Sequence, residues 1–129
     1  MNTNQASNIV LVDDHILFRD GLKFILSNME GINISGEASN GIEFLEILHD
    51  HVPDLVLMDI SMPEMDGFEC TQVALSQVPD LKVIALSSFG EEIYYRKMIE
   101  AGVKGFLTKN SSKAELEQAI NSVLNGDHY

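Results

Sequence analysis

Short apolar runs alternate along this chain with longer segments in which apolar residues recur at helical spacing. A short apolar run between polar residues is typical of a buried strand, whereas apolar residues three and four positions apart are typical of an amphipathic helix. The predicted strands cover residues 8–12, 32–36, 55–58, 82–86 and 103–107. The predicted helices cover residues 16 to about 28, 40 to about 50, 68–78, 91–101 and 112–124.

Polar residues and glycines at the ends of these segments support the boundaries. Asn40 with Glu43, and Ser112 with Glu115, have the spacing of a capping box at a helix N-terminus. Gly102 stands where a left-handed residue commonly ends a helix.

The order strand–helix, repeated five times with short connections, predicts a parallel sheet with helices on both faces. Right-handed crossovers restrict the topology, and the commonest five-stranded solution is flavodoxin-like, with strand order 2-1-3-4-5. We therefore expect one α/β domain of the (βα)5 type over residues 8–126, after a flexible tail of residues 1–7.

Composition narrows the class of protein. A chain of 129 residues with 45% hydrophobic residues can form one core, and no apolar run approaches the length of a membrane span. The single cysteine, Cys70, excludes an internal disulfide and, with no signal peptide pattern, predicts a cytoplasmic protein. The net charge of −12 argues against direct binding to nucleic acid or an anionic membrane, but permits a divalent cation and basic protein partners.

Polar residues follow four of the five strands. Asp13 and Asp14 follow the first strand, Asp59 the third, Ser87 the fourth and Lys109 the fifth. Because ligands bind at the carboxyl edge of open α/β sheets, we expect these side chains to converge on one pocket. Since a buried, unpaired carboxylate is costly, we expect Asp59 to be open to solvent there.

These residue types suit metal-assisted phosphoryl transfer. Clustered carboxylates repel one another, and a hard divalent cation such as Mg²⁺ relieves that repulsion. A carboxylate can also attack phosphorus, while Lys109 neutralises the transferring group and Ser87 donates a hydrogen bond to it. Each residue alone is an ordinary strand-end residue; only their joint occurrence indicates a site. His15 is read as a first-turn helix residue, and the scattered histidines do not suggest zinc.

Four segments, in order along the chain, resemble the receiver domain of two-component response regulators. They are VDDH at 12–15, MDISMPEMDG at 58–67, LSS at 86–88 and GFLTK at 105–109. With FRDGL at 18–22, the chain looks most like the NarL/FixJ (LuxR-type) subfamily. The resemblance implies a phosphorylation-controlled switch, the receiver part of a transcription regulator, with residues 127–129 starting a linker to an output domain not present in this chain.

The resemblance also implies roles for individual residues. Asp59 would accept a phosphoryl group from a sensor histidine kinase. Mg²⁺, with Mn²⁺ as an alternative, would be held by Asp14, Asp59 and the main-chain carbonyl of Ser61, with Asp13 acting mainly through water.

Further residues would respond to the phosphoryl group. Ser87, Ser88 and Lys109 would contact it, and Ser87 with Phe106 would form the switch. Phe106 stands where many members of the family have tyrosine, and Asn110 stands where many have proline. Glu64 and Phe89 are candidates for tuning the lifetime of the phosphoryl group.

The expected protein is not an enzyme in the ordinary sense, although it assists its own phosphotransfer and dephosphorylation. It could form a homodimer on phosphorylation, would contact DNA only through an output domain and would not associate with membrane. The alternatives are a stand-alone receiver acting through protein contacts, a receiver-like module that no longer takes phosphate, and an aspartate-nucleophile phosphatase. Ser61 argues against the phosphatase, because such hydrolases carry a second acid at that position.

Overall fold

Five parallel strands form one sheet in the order β2-β1-β3-β4-β5, which confirms the predicted flavodoxin-like arrangement. The computed structural model describes residues 6–62, 65–88 and 90–129, apart from the side chain of Glu92. The strands are β1 Ser7–Val12, β2 Ile32–Ala38, β3 Leu55–Asp59, β4 Val83–Ser87 and β5 Gly105–Thr108. Glu64 and Phe89, the two candidates for tuning phosphoryl lifetime, lie outside the described residues, as do residues 1–5 of the expected tail.

Ser7 belongs to the sheet rather than to a tail. It is paired with Ile32, and its N–H donates to the carbonyl of Gly31 over 2.7 Å. At the other end, the N–H of Tyr129 donates to the carbonyl of Lys104 over 2.9 Å, so the segment expected to start a linker lies against the entry to β5.

The helices are α1 Ile16–Ser27, α2 Gly41–Asp50, α3 Gly67–Gln77, α4 Tyr95–Ala101 and α5 Lys113–Leu124. The fourth helix differs from the prediction of 91–101, because a 3-10 turn over Glu92–Tyr94 precedes it. The N–H of Glu91 donates to the carbonyl of Ser88, and that of Tyr94 to the carbonyl of Glu91. These hydrogen bonds span three residues, which tightens this turn relative to an α-helix.

The caps explain where the helices begin and end. At α5, Ser112 and Glu115 exchange both bonds of a capping box. At α2, the Asn40 side chain accepts from the N–H of Glu43, but the Glu43 carboxylate accepts from Ser39 instead of Asn40. Gly102 ends α4 with φ 112°, as expected for a left-handed residue.

Alternate residues of β1 face opposite sides of the sheet. Val10 and Val12 pack on the side that carries α2, α3 and α4, whereas Ile9 and Leu11 pack on the side that carries α1 and α5. Helices therefore cover both faces of the sheet, and a hydrophobic core lies on each side of it. None of the described helices is long and apolar enough to cross a membrane.

Candidate functional site at the carboxyl edge of the sheet

Three aspartates meet where β1 and β3 end side by side. Asp13 and Asp14 follow β1, and Asp59 is the last residue of β3. One carboxylate oxygen from each of the three lies within 4.8 Å of the others. The three aspartates therefore lie together, as predicted, and they place up to three negative charges close to one another.

Lys109 lies directly against two of the acids. Its Nζ is 2.9 Å from Oδ2 of Asp13 and 3.4 Å from Oδ2 of Asp59. Burial alone lowers the pKa of Lys109, but the hydrogen bond with Asp13 and the charges of Asp59 and Asp13 outweigh burial and leave this pKa raised. The lysine is therefore a firmly charged internal counter-ion of the acid cluster.

Asp59 is buried, and the expectation that it is open to solvent is wrong. Only 1% of the residue is exposed. Burial raises its pKa to about 7, with a further contribution from the charge of Asp13, while Lys109 and the N–H of Ser61 partly offset the shift. That N–H donates to Oδ1 of Asp59 over 3.2 Å. A cation from a distant part of the chain and an N–H donor two residues away therefore compensate in part for the lost water.

Asp13 and Asp14 differ in their surroundings although they are neighbours. Asp13 is buried, and its Oδ1 accepts from the N–H of His15 over 2.8 Å. Asp14 is exposed, so its carboxylate faces solvent. His15 serves as the N-cap residue of α1 without a side-chain capping bond, in agreement with its interpretation as a helix residue beside the site.

The donor set of this cluster fits a hard divalent cation. Three carboxylates offer oxygen ligands, and the exposed Asp14 leaves a side on which water could complete the coordination. Mg²⁺ and Mn²⁺ both favour such oxygen ligands and retain water. Ser61 is exposed and lies at the rim of the cluster, two residues after Asp59.

Ser87, the last residue of β4, and Ser88, which follows it, both donate hydrogen bonds within the protein. The Ser87 hydroxyl is buried and donates to the carbonyl of Leu107 over 3.4 Å. The N–H of Ser88 donates to Oε1 of Glu91 over 2.6 Å. Their contact with a phosphoryl group stays a prediction that would require both donors to be released.

Phe106 lies on β5 and is partly buried. Its ring meets the ring of Tyr95 edge to face, with centroids 5.1 Å apart and an interplanar angle of 80°. The predicted switch residue therefore contacts the start of α4. A change of its rotamer would alter its packing against Tyr95 in that helix.

One side-chain and one backbone hydrogen bond hold the loop that carries Lys109. The hydroxyl of Thr108 donates to Oδ1 of Asn110 over 2.5 Å, and the N–H of Lys109 donates to the carbonyl of Ser87 over 2.7 Å. The described residues contain no cis peptide bond, so Lys109–Asn110 is trans. The hydroxyl and the amide fix the turn where many receivers have proline.

Comparison with known proteins identifies the family. The response regulator receiver domain matches residues 9–121. The chain belongs to the response regulator receiver domain family. It is 40% identical over 108 residues to the uncharacterized transcriptional regulatory protein YhcZ of Bacillus subtilis (strain 168), a match that covers 84% of this chain and 50% of YhcZ.

Two solved structures agree with this assignment. A LuxR-family response regulator from Aurantimonas sp. SI85-9A1 has a TM-score of 0.91 and 30% identity, covering 96% of this chain and 89% of that one. The signal receiver domain of the putative response regulator NarL from Mycobacterium tuberculosis has a TM-score of 0.88 and 33% identity, covering 95% and 98%. The predicted NarL/FixJ subfamily is confirmed.

The chain spans about half the length of the curated relatives that it matches. What it shares with them is the receiver domain, a signalling switch of two-component systems.

Proposed function

We propose that this receiver domain accepts a phosphoryl group on Asp59 from the phosphohistidine of a sensor histidine kinase, and so controls a transcription regulator. The observation that carries the proposal is the buried Asp59 carboxylate, 3.4 Å from Lys109 and beside two further aspartates. A buried nucleophile next to a fixed cation is suited to reaction with an anionic phosphoryl group.

The transfer uses residues that are already in contact. A carboxylate oxygen of Asp59 forms the new bond to phosphorus, the bond from phosphorus to the donor nitrogen breaks, and the departing imidazole takes its proton from solvent. Lys109 balances charge on the phosphoryl oxygens, and the N–H of Ser61 keeps the carboxylate oriented. Because burial raises the pKa of Asp59 to about 7, the nucleophilic form gains population as the pH rises through that value in the metal-free protein.

A magnesium ion is part of the proposal. Asp13, Asp14, Asp59 and the main-chain carbonyl of Ser61 would hold Mg²⁺, or Mn²⁺ in its place. When bound, the ion supplies positive charge that offsets the carboxylates and the phosphoryl oxygens. Asp14 is the exposed member, so it is the residue through which the ion would enter.

A protein donor is favoured by the surface beside the site. Ile16 and Leu17 open α1 and are 62% and 79% exposed. A groove of about 250 Å³ runs next to them between α1 and α5 and reaches Lys109. Exposed apolar side chains that border a reactive residue are typical of a protein docking surface. A small-molecule phosphoryl donor does not need such a surface.

The output of the switch would be a change in the surface formed by α4 and β5. Phosphorylation would draw the Ser87 hydroxyl from Leu107 towards Asp59 and let Phe106 move against Tyr95, changing the surface of α4 and β5. Homodimerisation would follow in the complete regulator. DNA would be contacted through an output domain, because the charge of −12 opposes binding by this chain.

Phosphoramidate with Mg²⁺, followed by intact-mass analysis, tests the phosphoacceptor. Wild-type protein should gain the mass of one phosphoryl group, and Asp59→Asn should gain none, since an amide is a poor nucleophile. The exposed Asp80→Asn is the matched control and should be labelled like wild type. A labelled Asp59→Asn protein would refute the assignment, turnover without accumulation would favour a phosphatase, and an unreactive wild type would favour a receiver-like module.

The docking surface is tested with a histidine kinase chosen because it phosphorylates the wild-type domain. Leu17→Glu should slow transfer from the kinase at least ~10-fold, as a buried charge at an interface costs more than ~1.4 kcal/mol, and leave labelling by phosphoramidate unchanged. Phe24→Glu changes a side chain that is 72% exposed on the same helix but does not line the groove. If both variants slow transfer from the kinase equally, the groove does not form part of the docking surface.

A further inference from the structure

Arg19 connects α1 to the ends of two strands. Its Nη1 donates to the main-chain carbonyl of Asp13 over 2.7 Å, to the carbonyl of Ala38 over 3.2 Å and to the hydroxyl of Ser39 over 3.0 Å. Its Nε lies 3.0 Å from a carboxylate oxygen of Glu37. The side chain is only 14% exposed, so these contacts are protected from water.

The carbonyl that Arg19 binds belongs to the peptide that joins Asp13 to Asp14. The N–H of Asp13 is also fixed, because it donates to the carbonyl of Ala38 over 3.0 Å. The end of β1 is thus held from both sides of Asp13, by β2 on one side and by α1 on the other. A rotation of this peptide would turn the Asp14 carboxylate relative to that of Asp13.

The charge of Arg19 is already compensated. One carboxylate oxygen of Glu37 forms an ion pair with Nε of Arg19 at 3.0 Å, and its other oxygen lies 3.1 Å from Nζ of Lys23. The pair of Arg19 with Glu37 is therefore neutral beside the acid cluster, and its main contribution there is the geometry of the peptide rather than an added positive charge. A lysine could not replace it fully, because its side chain is one bond shorter than the path to Nη1 and has a single nitrogen, whereas Arg19 uses Nη1 for the strand ends and Nε for Glu37.

We propose that Arg19 is a positioning residue that sets the orientation of Asp13 and Asp14 towards Asp59, and thereby the affinity of the cluster for Mg²⁺. This inference rests on the proposed magnesium site and deepens it, because it assigns part of the affinity to a residue that provides no ligand. Outer contacts that orient ligands typically account for ~10–100-fold in metal affinity.

The test is calorimetric titration of the unphosphorylated domain with Mg²⁺. The double variant Arg19→Met with Glu37→Gln removes the contacts and keeps the summed charge of the pair at zero. We expect its Kd for Mg²⁺ to rise ~10-fold or more, and that of Arg19→Lys to rise less, ~3–10-fold. Glu37→Gln alone keeps the bonds of Arg19 to the backbone, and Lys23→Met removes only the outer cation, so both should stay within ~2-fold of wild type.

Metal-free melting separates positioning from a purely structural role. A variant whose melting temperature falls while its Kd for Mg²⁺ is unchanged would overturn the inference. If the double variant does not fold, Arg19→Lys decides in the same way, and wild-type affinity in that variant would also overturn it. If the wild-type domain binds no Mg²⁺, the proposed metal site fails together with the inference, whereas wild-type binding with unaffected variants contradicts the role of Arg19 alone.

Discussion

Replacing Asp59 with asparagine should stabilise the metal-free domain at alkaline pH and remove part of its pH dependence. Burial and the charge of Asp13 raise the pKa of Asp59 from 3.8 to about 7. A raised carboxyl pKa means that the folded state binds the proton more tightly than the unfolded chain. The stability contributed by this group is therefore fully present below pH 4 and is lost as the pH rises to about 7 and beyond.

The size of the effect follows from the difference between the two pKa values. Each pKa unit corresponds to 1.36 kcal/mol, so the ionisation of Asp59 costs the folded state at most about 4 kcal/mol at pH 8. For a chain of this length, 1 kcal/mol shifts the melting temperature by ~4 °C. We therefore expect metal-free wild type to melt up to ~15 °C lower than Asp59→Asn at pH 8, with the gap closing towards pH 5.

The assay is urea denaturation and thermal melting of both proteins in a chelating buffer between pH 5 and 8.5. The two proteins differ at residue 59 alone, so the contributions of the groups that they share cancel in the difference between wild type and variant. Saturating Mg²⁺ should restore wild type at pH 8, by ~2.7 kcal/mol at 100 times the Kd, and should stabilise the variant less. A difference between the two proteins that does not change with pH would refute the reasoning.

Three further predictions concern the surroundings of the site. Gly67→Ala places a Cβ that would overlap the carbonyl oxygen of Asp59, so the free energy of unfolding should fall by ~1–3 kcal/mol in urea, with weaker Mg²⁺ binding. Glu91→Gln weakens the acceptor of the Ser88 N–H and removes a negative charge, so labelling by phosphoramidate should become faster, and a slower rate would contradict this. Ser112→Ala should cost ~0.5–2 kcal/mol in urea by removing the α5 cap, with Mg²⁺ affinity unchanged in titration.

The fold could be predicted because the pattern of apolar and polar residues that defines each strand and helix lies within a short segment of the chain. Residues 55–58 form a continuous apolar run, and a strand that is covered on both faces needs nothing else to identify it. The same pattern fixes where a strand ends, so the meeting of Asp13, Asp14 and Asp59 followed from strand order alone. The start of α4 could not be predicted in this way. The 3-10 hydrogen bonds made by the N–H groups of Glu91 and Tyr94 do not change the spacing of the apolar residues.

The environment of the site depends on contacts between distant parts of the chain, and there the sequence was insufficient. The cost of burying an unpaired carboxylate predicts that Asp59 faces solvent. Lys109, fifty residues later, provides a counter-ion and makes burial tolerable. Arg19 belongs to the FRDGL segment, and nothing in its local sequence indicates that it reaches the ends of β1 and β2.

Lys109 contacts both the acid cluster and the end of β4. Its ammonium group is shared between Asp13 and Asp59, while its N–H is bonded to the carbonyl of Ser87 at the end of β4. A phosphoryl group on Asp59 would compete with Asp13 for the ammonium group. A shift of Lys109 towards Asp59 would then strain the hydrogen bond from the N–H of Lys109 to the carbonyl of Ser87. It would also strain the turn that contains Asn110. Because the cation that stabilises the metal-free acids also donates its N–H to the last residue of β4, a change of charge at Asp59 would affect the ends of both β4 and β5.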